Sequence, residues 1–184
     1  MVGSKKGNSW DGKSNIASIS IKINNYSDIF SSFDSRNYSE KAFSDDFLSE
    51  AKKACKDKAS GQVALYIDLP KEHRNGEDEI VIKRRMREHF KRHYIILLNE
   101  IKDVKRKGIF MAILGVLFIT IATYFSPYAS KSFIIDFFLI LLEPAGWFTA
   151  WTGLDQIYYT LSEKKPDLDF NERMSNAEIV FLSN

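Results

Sequence analysis

Residues 109–125 read IFMAILGVLFITIATYF, a stretch without a charged side chain. With Gly108 and Ser126 at its ends it spans about 27 Å as a helix rising 1.5 Å per residue, close to the hydrocarbon thickness of a bilayer. Residues 133–154, FIIDFFLILLEPAGWFTAWTGL, form a second apolar stretch, interrupted by Asp136 and Glu143. The short segment 127–132 between them leaves room only for a turn, which makes the two helices antiparallel neighbours. The reading is a transmembrane hairpin, with its first helix over 108–126 and its second over 133–154.

Working back from the hairpin, residues 77–107 form a long helix whose apolar positions Ile80, Met86, Phe90, Tyr94, Leu97, Leu98, Ile101 and Val104 recur at steps of three and four. Between Lys83 and Lys107 the basic residues are Lys83, Arg84, Arg85, Arg87, Lys91, Arg92, Lys102, Lys105, Arg106 and Lys107, opposed by Glu88, Glu100 and Asp103 alone. The turn between the spans carries only Lys131. Lysine and arginine stay on the cytoplasmic side, so the N-terminal part and the segment 155–184 are both expected inside the cell, on the inner or plasma membrane. Lys83, Arg84, Arg85, Arg87, Lys91, Arg92, Lys105, Arg106 and Lys107 are assigned to contact with anionic lipid, at about 1 kcal/mol for each cation near the surface. Nucleic acid is disfavoured as a partner because no aromatic-interleaved or groove-reading motif accompanies the charge.

The remainder is polar enough that the whole chain, with net charge +2 and mean hydropathy −0.24, passes for a soluble protein. Residues 1–15 lack an apolar run and read as a flexible tail without a secretory signal. Strands are expected near 16–23 (IASISIKI) and 62–69 (QVALYIDL), and a third near 177–182 (AEIVFL) returns to pair with one of them. Ser44, followed by Asp45 and Asp46, caps a short amphipathic helix running to Lys58. The loop over 24–36 is held to the core by Tyr26, Ile29, Phe30 and Phe33, and Lys164-Lys165-Pro166 ends the helix that follows the second span. The fold class is therefore an α+β membrane protein: a small cytoplasmic α/β domain over 16–76 completed by the C-terminal strand, a basic juxtamembrane helix and a two-helix hairpin.

Chemistry-bearing motifs are scarce. Cys55 is the single cysteine, which excludes an internal disulfide. His89 and His93 have metal-ligand spacing, but their neighbours are cations, which disfavours a dication, and a solvated helix face explains them. With no phosphate loop, nucleophile–base arrangement or paired cysteines, no catalytic residue, metal or cofactor is expected. Glu143 stands apart. An acid near the bilayer centre costs about 2.5 to 3.5 kcal/mol, so it requires protein or water around it. It shares a helical stripe with Asp136, Gly146, Trp147, Ala150 and Gly153, and the first span carries a matching stripe of Gly108, Ala112, Gly115 and Ala122, with Thr120, Thr123 and Tyr124 as candidate hydroxyl partners. These small residues are assigned to helix packing, and a lone hairpin offers too little surface to enclose the acid, which argues for a homo-oligomer.

The run from Glu143 to Tyr159 contains the pattern E-x-x-G-W-x-x-x-W, and residues 28–34 give D-x-F-x-x-F-D. Both resemble a family of small, uncharacterised prokaryotic membrane proteins with an N-terminal α/β part and two late spans, although Pro144 stands where those proteins often have glycine and Trp151-Thr152-Gly153 where they have Trp-x-Pro. The resemblance implies topology and no activity. Three functions remain open: a non-enzymatic sensing, docking or scaffolding protein that binds a protein or small ligand at its cytoplasmic domain; a small channel, pore-forming effector or proton-linked carrier using Glu143 and Asp136; and, behind these two, an enzyme of unfamiliar type in the soluble part, for which a polar cleft between the helix from Ser44 to Lys58 and the sheet would speak.

Overall fold

The computed structural model describes residues 17–58, 61–131 and 133–183, so the expected tail over 1–15 and Ile16 lie outside the described residues. The described elements are β1 (Ala17–Lys22), α1 (Asp45–Lys56), β2 (Val63–Leu69), α2 (Gly76–Phe125), α3 (Phe133–Ser175) and β3 (Glu178–Ser183). Short 3-10 turns occupy Tyr26–Ile29, Lys71–His73 and Ser126–Lys131. The chain divides into two compact units, one holding the sheet and the other, His93–Asp169, made of helix alone.

In the first unit the three strands form a parallel sheet in the order β1-β2-β3. Period-two patterning sets its register. Ile19 pairs with Leu65 and Leu65 with Ile179, while Ile21 pairs with Ile67 and Ile67 with Phe181, so one face is apolar across all three strands. Parallel neighbours need long crossovers. α1 lies in the first, and the whole of α2 and α3 lies in the second. α2 gives Ile82, Met86 and Phe90 to the core before leaving the unit, and α3 gives Phe170 and Met174 on return. The Phe90 and Phe170 rings meet edge to face with centroids 5.6 Å apart. Each such fully buried side chain contributes about 1.5 to 3 kcal/mol.

Three expectations are corrected. Phe33 is 99% exposed, whereas Tyr26, Ile29 and Phe30 are buried. Phe30 bridges Phe43, and the Ser31 N–H donates to the Ala42 carbonyl, which closes off the chain between them; from that excursion Tyr38 returns to the core, its ring stacked on Phe30 at 5.3 Å, and Phe33 stays outside. Ile80 is 70% exposed because α2 presents Glu79, Ile82, Met86 and Phe90 inward, a set in which Ile80 has no place. Finally, α3 passes through Pro166 and ends only at Ser175. An interior proline costs roughly 3 kcal/mol. Burying both Phe170 and Met174 offsets that at about 1.5 to 3 kcal/mol apiece, and Lys164 adds an ion pair with Glu100.

Candidate functional site

α2 and α3 both contain segments long and apolar enough to cross a membrane, and within the most apolar window of each only 17% and 11% of residues are buried. A core helix of a soluble protein shows the opposite. Phe110, Ile113, Leu117, Phe138 and Phe148 all lie open on the surface of this unit.

Glycines bring the two helices together. A Cβ on Gly115 would sit 2.5 Å from the Gly146 carbonyl oxygen, and one on Gly146 would sit 2.8 Å from the Gly115 oxygen. A Cβ on Gly108 would meet the Gly153 oxygen at 2.6 Å, and one on Gly153 the Ala112 nitrogen at 2.9 Å. Ala150 packs directly on Gly115. On α2 the buried positions Ile101, Gly108, Gly115 and Ala122 recur every seven residues, the period of a left-handed helix pair. The expected small-residue stripes therefore face each other inside one chain.

One further seven-residue step brings Ala122 level with Leu139, and there the packing opens into a recess of about 470 Å³. Thr123, Ser126, Asp136 and Glu143 supply its polar lining. The Thr123 hydroxyl donates its proton to the Ile119 carbonyl at 2.9 Å, which leaves its oxygen as an acceptor only. Pro144, inside α3, has no N–H to offer the Ile140 carbonyl, and Ile140 lines the same recess. Glu143 is exposed near the middle of the apolar stretch and Asp136 is half-exposed towards the turn. Among the described residues neither carboxyl has a hydrogen-bond or ion-pair partner. The stripe read from the sequence is thus split: Gly146, Ala150 and Gly153 face α2, whereas Glu143 and Trp147 lie beside them on the outer surface, Trp147 at 63% exposure.

The basic residues also divide. Arg84, Arg87, Lys91, Arg92, Lys105, Arg106 and Lys107 are exposed, and Arg106 pairs with Asp103 at 3.4 Å. Lys83 and Arg85 are half-buried in the first unit, with the Lys83 ammonium 5.5 Å from the centre of the Phe181 ring and the Arg85 guanidinium 5.9 Å from that of Phe43. His89 rests on Phe43, ring centres 4.7 Å apart.

The first unit holds two further features, of which the first escapes the sequence reading and the second lies where a polar cleft was to be sought. Glu79, 7% exposed, accepts a two-pronged bond from Arg74 at 2.8 and 3.1 Å and a third from the Tyr26 hydroxyl at 3.2 Å. Burial pushes the Tyr26 hydroxyl pKa above its ordinary value. The only sequence signal was the spacing of Arg74 and Glu79 around Asn75-Gly76. The second is a recess of about 680 Å³ between the end of α1 and the open sheet face, lined by Ser18, Ser20, Asp57, Lys58, Tyr66 and Asp68. Ser20 donates to Asp68 at 3.1 Å. The described lining of this recess holds hydroxyls and charges of both signs, suited to binding a polar group. Comparison of the chain with protein-family models, with curated proteins and with solved structures gives no match, so the reading rests on these residues.

Proposed function

We propose that the chain is a two-pass cell-membrane protein without enzymatic activity, its termini both cytoplasmic, whose α/β domain docks or senses a protein or small ligand while its hairpin self-associates. The observation that carries this reading is Glu143, exposed near the middle of the second apolar stretch on a recess that it shares with Asp136, the one other charged residue of the two spans. Facing lipid, that carboxyl costs about 2.5 to 3.5 kcal/mol. Because the small-residue surfaces are already occupied within the hairpin, its cover comes from another chain. The exposed cations at the other end of the apolar stretch suit an anionic cytoplasmic leaflet. The recess beside α1 suits a polar ligand or peptide side chains.

Native mass spectrometry from lipid nanodiscs tests the reading: an oligomer is expected, weakened by Glu143→Leu, and a monomer at every protein-to-lipid ratio refutes it. The run of Thr123, Ser126, Asp136 and Glu143 favours a second reading, a polar path for ions or protons. Liposome flux that is lost in Glu143→Gln would support that path over a purely structural acid, and no flux at any pH would remove it.

A further inference from the structure

We infer that copies of the chain meet along the outer stripe of α3, with the Glu143 carboxyl of one copy accepting a hydrogen bond from the Trp147 indole N–H of the next. This deepens the self-association proposed above and rests on it.

The two residues are one helical turn apart on the same exposed stripe, which Trp151 and Tyr158 continue at 70% and 74% exposure. Tryptophan placed at the end of a span is explained as an interfacial anchor, and Trp151 fits that role. Trp147 does not, because it lies one turn from Glu143 near the middle of the apolar stretch. An indole there presents a donor that lipid cannot satisfy, just as Glu143 presents an acceptor. Among the described residues neither has a hydrogen-bond partner within its own chain.

A second copy is the occupant that resolves both at once. Donor and acceptor sit on one surface, so the stripe is complementary to itself and each copy supplies what the other lacks. Copies in the same topology must be related about the membrane normal, which keeps equivalent residues at equal depth. The one-turn offset between the two positions is about 6 Å at 1.5 Å per residue, within the combined reach of an indole and a glutamate side chain. A lipid tail offers neither group.

Association is measured by energy transfer between labelled copies of the full chain in phosphatidylcholine–phosphatidylglycerol vesicles, over a range of protein densities. Trp147→Phe keeps the ring and removes the N–H. It and Glu143→Leu are each expected to weaken association roughly three- to twentyfold per contact. The double variant should be no weaker than the worse single one, and Glu143→Gln, whose amide oxygen still accepts, should stay near wild type. If wild type associates but Trp147→Phe is indistinguishable from it, or the two single effects add, this contact is refuted while self-association stands. If wild type never associates, both fall. Unchanged far-UV helicity in each variant shows that folding is not the cause.

Discussion

Substituting Gly115 by alanine adds one methyl group where the backbones of α2 and α3 meet. That Cβ would lie 2.5 Å from the Gly146 carbonyl oxygen and 2.7 Å from the Ala150 Cβ, well inside van der Waals contact. A backbone oxygen and a Cβ cannot swing aside, so the helices must separate by close to 1 Å, opening contacts along neighbouring turns. Overpacking of this kind costs about 1 to 3 kcal/mol. Against it stands the better helix propensity of alanine, about 0.8 to 1 kcal/mol. The net expectation is destabilisation of about 1 kcal/mol, and Gly115→Leu should go further. Gly76→Ala is the control, since nothing lies within 4 Å of its added Cβ. Equilibrium unfolding in a mild detergent, followed by far-UV circular dichroism, reads both. Gly115→Ala as stable as wild type or more so would show that the glycines are not in backbone contact, and the hairpin geometry would be wrong.

Removing Arg74 leaves the buried Glu79 carboxylate without its two-pronged partner, and Arg74→Ala should cost about 2 kcal/mol at neutral pH; a change under about 0.5 kcal/mol would count against that network. Phe30→Ala should cost about 3 to 5 kcal/mol and Phe33→Ala almost nothing, in the same unfolding assay, because one ring is buried and the other is fully exposed. Asp34 is held well below the usual carboxylate range by its hydrogen bond from Arg36, aided by the Ala42 and Arg36 backbone N–H groups. A depressed pKa stabilises the fold above the unfolded value of 3.8 and loses that contribution as pH falls below it, so the gap in urea stability between wild type and Asp34→Asn should close in acid and stay open at neutral pH.

Those parts of the fold governed by local pattern were legible in the sequence. Alternation in 16–23 and 62–69 marks strands, and Ile179 and Phe181 mark the third, which pairs in parallel with β2. Parallel order itself was not legible, because period two is common to both pairings. The small residues Gly108, Gly115, Gly146 and Gly153 were visible as stripes, but not that each stripe faces the other within one chain; only the seven-residue interval held that signal. Phe33 misled because hydrophobicity says nothing of which ring the Phe30–Phe43 bridge leaves outside. Pro166 misled because a local helix breaker was outweighed by the distant burial of Phe170 and Met174. In the Arg74–Glu79–Tyr26 cluster only the five-residue spacing of Arg74 and Glu79 is local; Tyr26 lies 53 positions from Glu79, with no pattern to link them.

Cysteine accessibility tests the central claim most directly. Cys55 is the only cysteine and is buried, so Cys55→Ala gives a clean background for single cysteines at Tyr128, on the turn between α2 and α3, and at Ser31 and Leu182 in the sheet-bearing unit. A membrane-impermeant maleimide added to intact cells should label Tyr128→Cys at once, and Ser31→Cys and Leu182→Cys only after the membrane is opened. Labelling of Ser31→Cys in intact cells, or recovery of the protein in the soluble fraction, would contradict a hairpin that crosses the bilayer from the cytoplasmic side.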